Sequence, residues 1–159
     1  MDYRTLVRDA KFVKILNYAS GTADRTSGVI DTAGYGKIDV IVSFSAITTN
    51  AVTNIYLTHS DAVDDANTLN TGANVATTSQ TVADDDDGQV FIIGNVTPIK
   101  RYCQLVVNKD ATNAVAEEAF VILSEPKEMP VTHGTGTGTG EGHAAVNYES
   151  VGTAVSGTI

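Results

Sequence analysis

Between residues 37 and 47 the chain alternates: Lys37, Asp39, Ser43 and Ser45 are separated by Ile38, Val40, Val42 and Phe44. A period of two is the mark of a β-strand with one face buried. Ile41 falls on the polar face, so that face is expected to be less than fully solvated. Ahead of this strand, residues 31–36 (DTAGYG) predict a turn. Its Asp31 can accept backbone hydrogen bonds, and its two glycines can take positive φ without strain. The same reading gives short strands at 29–31, 51–59, 89–93, 101–108 and 118–124. Residues 20–28 read as a polar loop, 61–68 as one helical turn, and 69–82 as a long irregular stretch with an edge strand. Residues 109–114 read as a turn. Residues 2–18 are ambiguous between an arm and a strand, since Phe12, Val13, Ile15 and Leu16 form no single apolar stripe; an arm running into a strand is preferred.

Roughly seven or eight short strands between Gly-, Asn-, Asp- and Thr-rich turns predict an all-β antiparallel sandwich, jelly-roll-like. Three segments follow: an N-terminal arm or first strand (1–18), a β-sandwich domain (19–130), and a linker with a C-terminal tail (131–159). The Gly-Thr repeat at 134–140 predicts a flexible tether. Residues 143–159 regain β-branched and apolar content. Such a segment either packs on a neighbouring subunit, adds a strand to its edge, or frays.

Composition narrows the class. A chain of 159 residues with 42% hydrophobic and 18% charged residues fits one globular domain with a real core. It holds no apolar run long enough for a membrane helix, and its first residues lack the apolar centre of a signal peptide. The lone cysteine, Cys103, lies in a strand-like run and is expected to be a buried hydrophobe. A net charge of −9 argues against nucleic acid as a partner. The charge is also uneven. Arg4, Arg8, Lys11 and Lys14 crowd the start, whereas residues 38–99 contain neither Lys nor Arg. A basic arm and an acidic body can orient a protein on a charged partner, or pair with each other.

Candidate chemistry is sparse. Asp84, Asp85, Asp86 and Asp87 precede Gly88, but Ala83 stands where a calcium loop needs its first acid, so an acidic turn is expected. The Gly-Thr repeat matches no phosphate loop or dinucleotide fingerprint. His59, His133 and His143 are far apart, and no nucleophile elbow is present. The reading is therefore of a non-enzyme with no cofactor and no metal.

Several phrases, in this order, carry a resemblance: 29–35 (VIDTAGY), the strand at 38–44, 55–61 (IYLTHSD), 90–94 (VFIIG), 100–107 (KRYCQLVV), and 119–130 with its proline-bearing end. Together they resemble a family of small structural proteins of tailed bacteriophages, which includes capsid cement (decoration) proteins. The resemblance covers residues 29–130. It implies a jelly-roll-like virion protein, made in the host cytoplasm, that binds the outside of an icosahedral head. There it would bridge copies of the major capsid protein. Residues 95–99 (NVTPI) depart from the glycine-containing turn usual before the Lys-Arg-Tyr phrase. The expected partner contacts are Arg4, Arg8, Lys11 and Lys14, with self-association as a dimer or trimer and neither nucleic acid nor membrane as partner. The alternative is a receptor- or glycan-binding sandwich on a virion or cell surface. The absence of tryptophan leans against sugar stacking.

Overall fold

The computed structural model describes residues 9–63, 69, 73–75 and 78–128. Arg4, Arg8, the Gly-Thr repeat and the C-terminal tail lie outside these residues, as does most of the helical turn read at 61–68.

Every named element is a strand: β1 (Lys11–Gly21), β2 (Arg25–Thr26), β3 (Ile30–Asp31), β4 (Tyr35–Ile47), β5 (Thr53–Ser60), β6 (Ala73–Asn74), β7 (Gln80–Val82), β8 (Val90–Val96), β9 (Tyr102–Lys109) and β10 (Val115–Pro126). The first sheet has the order β1-β10-β4-β8. In the second, β9 pairs with β5 on one side and with β2 and β3 on the other, while β6 and β7 share the far edge of β5. All these pairings are antiparallel. If β2 and β3 are taken as one interrupted strand, and β6 and β7 as another, eight strands wind between two four-stranded sheets. That order is a jelly roll.

Alternation along β4 fills the core as the sequence requires. Ile38, Val40, Val42 and Phe44 are buried to 1% exposure or less. Opposite them stand Ile55 and Leu57 of β5 and Cys103, Leu105 and Val107 of β9, all in one apolar cluster. Phe44 meets Phe91 of β8 edge-to-face, with ring centroids 5.6 Å apart, a favourable arrangement of the two ring quadrupoles.

The predicted turn before β4 forms, and its two glycines do different jobs. Asp31 Oδ1 accepts from the Ala33 amide at 3.0 Å, and Gly34 takes φ +88°. Gly36 does not need positive φ. It is squeezed against β10, where a Cβ would lie 2.6 Å from Glu125 Oε2.

β1 explains its own ambiguous pattern. Its register against β10 shifts between Lys14 and Leu16, and again between Leu16 and Ala19. A bulge lets two consecutive residues turn the same way, so Ile15 and Leu16 are both buried. The strand runs three residues past the expected boundary at 18. Two other readings are corrected. The loop at 20–28 contains β2, and Lys109 belongs to β9, buried, with the turn starting at Asp110.

Candidate functional site

Three features stand out from an ordinary sandwich: an apolar row on the outside of the first sheet, an open edge at β8, and a buried ionic cluster at one end.

The row follows from register. Lys14 lies opposite Phe120, Phe120 opposite Ile41, and Ile41 opposite Ile92, so one line crosses all four strands on the outer face. Ile92 is 56% exposed and Phe120 36%. Phe12 and Ile122 form a second apolar pair on the same face, next to Asp39. A connected apolar strip bordered by charge is the usual form of a protein-docking surface. Only Ile41 signalled it in sequence. Phe120 and Ile92 sit in apolar runs whose outward members cannot be told from inward ones without the register.

β8 forms the edge of that sheet. Its seven residues, VFIIGNV, carry no charge and no proline. The Phe44 amide donates to the Gln89 carbonyl at 2.9 Å. Antiparallel alternation then gives Val42–Phe91 and Val40–Ile93 the bonds to β4 and turns the amides and carbonyls of Val90 and Ile92 outward. Gln80 Nε2 donates to the Ile92 carbonyl at 3.0 Å. Beside this edge, where the sheets part, runs a groove of about 470 Å³ lined by residues including Val75, Gln80, Ile93, Val96 and Ile99.

The ionic cluster joins the sheets at the opposite end of β4. Glu117, on the core face of β10, is fully buried. Its Oε1 lies 2.8 Å from Arg25 Nη1 and its Oε2 2.8 Å from Lys109 Nζ. Lys109 Nζ also donates to the carbonyls of Gly21 and Val115, each at 3.0 Å. Arg25 donates to the Asn17 carbonyl at 2.9 Å. Each charge is thus compensated, and the cluster pins β1 and β2 to β9 and β10. Buried charges persist only when paired in this way. Sequence reading missed the cluster because Arg25 and Glu117 are 92 residues apart.

The predicted contact residues divide. Arg4 and Arg8 are outside the described residues. Lys11 and Lys14 are on β1. Lys14 is engaged within the protein: its Nζ is 2.8 Å from Glu118 Oε2 and 5.2 Å from the centre of the Phe120 ring. The basic stretch is therefore paired, at Lys14, with its own body.

The acidic run is a turn clamp. Asp84 Oδ2 accepts from the Asn50 amide at 2.6 Å, Asp87 Oδ1 from Ile47 at 2.5 Å, and Asp86 Oδ2 from Ala83 at 2.9 Å. Asp84 and Asp87 hold the β4–β5 connection, where Asn50 takes φ 66°, and Asp86 closes its own turn. Among the described residues no group of three or more His, Cys, Asp or Glu is placed to hold a metal. At the neighbouring turn, Asp110 accepts from the amides of Asn113 and Thr112, at 2.8 and 2.9 Å. Those bonds, Asn113's first, pull its pKa down to about 2. Cys103 is buried and free, and burial pushes its thiol up to about 11.

No family model matches the chain, and no curated protein matches it. Among solved structures it is similar to one from Bacillus reported under the description "Bacillus endospore appendages form a novel family of disulfide-linked pili". The TM-score is 0.43 with 14% identity, over 74% of this chain and 88% of that one. That neighbour is a component of pili; at this TM-score the likeness is too loose to bear on what the present chain does.

Proposed function

We propose that this chain is a structural protein of a phage particle, a decoration protein that binds the outside of an icosahedral head and bridges its capsomers. The observation that carries the reading is the apolar row Phe120–Ile41–Ile92 on the outer face of the first sheet. The row offers a partner a surface set on four paired strands, and the core behind it is closed by the ionic cluster. Many copies of such a modest contact sum to a strong effect on a repetitive shell. The ordered phrases that resemble capsid cement proteins support the major capsid protein as that partner.

Because Lys14 is already held by Glu118, the apolar row is a better candidate for the shell contact than the basic stretch. The test is co-sedimentation of purified protein with expanded shells that lack it. Saturation at a fixed number of copies per shell is expected. Ile41→Ser should weaken binding at least about fivefold, as truncation of an interface anchor does. Absence of binding to shells of its own virus would overturn the proposal and turn attention to glycan ligands.

A further inference from the structure

We infer that the C-terminal segment, residues 144–155, docks in cis as a fifth strand on the open edge of β8. The inference stands apart from the capsid reading and holds whether or not a shell is the partner.

The exit point of the chain comes first. Pro126 pairs with Tyr35, and the Lys127 amide donates to the Gly34 carbonyl at 2.8 Å. The described chain therefore leaves the sheet where β4 begins, and β8 ends at that same side, with Val96 opposite Ile38. A strand antiparallel to β8 has to start at this end. Reaching its position from β10 means crossing β4 and β8, three strand spacings of ~4.8 Å or ~14 Å in all. A Gly-rich linker of the length of 129–143 would, if unstructured, have an r.m.s. reach of ~20 Å, of the order of that span, and so would keep the effective concentration of the segment high.

The edge is suited to receive it. β8 is apolar and uncharged, and its outer amides and carbonyls have no strand beside them among the described residues. Gln80 Nε2 donates to the Ile92 carbonyl where the amide of an added strand would. The groove beside β8 supplies the second requirement. A strand added to a sandwich edge turns alternate side chains inward, and the space they need is the groove bounded by Val75, Ile93, Val96 and Ile99. The middle of the segment, residues 146–149, alternates to match. Val146 and Tyr148 share one face, and Asn147 and Glu149 share the other. An uncharged β-rich edge left open is a site for strand addition, and here the chain carries its own strand.

Amide hydrogen exchange on the full-length protein tests this, with Val146→Pro plus Tyr148→Pro as the broken-strand variant. The expected result is an Ile92 amide that exchanges at least ~tenfold more slowly in the parent than in the variant, equally at low and high protein concentration. Residues 146–150 should be protected in the parent as well. The substitutions fall in none of the strands β1–β10, so unchanged exchange at Val40 and Val42 would show that the core is intact. Ile92→Pro gives a second reading: it removes an outward amide without touching the bonds to β4, and should deprotect 146–150. Equal Ile92 exchange in parent and variant would overturn the inference. Protection that appears only as concentration rises would overturn it too, because the strand would then be coming from another copy.

Discussion

The two edges of the first sheet are built on opposite plans. At β1, two register shifts twist the strand, Lys11 and Lys14 line it, and the cluster of Arg25, Glu117 and Lys109 ties it down. At β8 there is no charge, one shift near its end, and two outward residues, Val90 and Ile92, each 56% exposed. Bulges and lysines are what proteins use to stop an edge from pairing. The difference is one of edge chemistry: β1 carries the bulges and lysines that discourage pairing, whereas β8 and the outer apolar row leave apolar side chains exposed.

The most damaging way to break this contrast is to undo the closed edge. Glu117→Ala would leave Lys109 buried without its counter-charge. A loss of about 3–5 kcal/mol is expected, read from the urea midpoint with an unchanged m-value. A loss below about 1 kcal/mol would mean that the cluster does not secure β1.

Acid should attack the same end next. The pKa of Asp110 in the folded protein, about 2, lies below the ordinary aspartate value of 3.8. The unfolded chain therefore binds its proton first as pH falls. The stability Asp110 contributes is present in full above about pH 4 and is lost as pH drops towards 2. In urea titrations, Asp110→Asn should flatten the pH dependence in that window and leave the slope above pH 5 unchanged. Equal slopes in both proteins below pH 4 would contradict the assignment.

Lys14→Ala tests the pair on the β1 surface. Lys14 and Glu118 are both partly solvated, so the expected cost is below about 1 kcal/mol. Ile92→Lys has the smallest expected effect on stability, within about 0.5 kcal/mol. It gives the open edge the chemistry of the closed one, and it should lower shell binding in sedimentation while the urea midpoint stays in place. Undiminished binding would remove Ile92 from the docking surface.

Much of this fold could be read from the chain because β4, β5 and β9 each alternate cleanly, and alternation on a half-buried strand is a local signal. The turn at Asp31 and Gly34 was legible for the same reason. Cys103 was too, since an apolar neighbourhood foretells a buried, poorly ionised thiol. What escaped was non-local. β2 is two residues long and is defined by its pairing with Val106 and Val107 of β9, with Arg25 reaching Glu117. Lys109 reads as a turn residue until Val115 and Glu117 close over it. The apolar row escaped as well, apart from Ile41, because it is a property of register across four strands. The acidic run read as a solvated turn, and its carboxylates prove to be tied to backbone amides of two connections.

The most direct test of the central claim is an electron cryomicroscopy reconstruction of shells saturated with this protein. The account expects ordered density with the outer face of the first sheet against the capsid surface, Phe120, Ile41 and Ile92 at the contact, and the turns of Asp84 and Asp110 away from it. A reconstruction with that face towards solvent, or with no ordered copies on the shell, would contradict it.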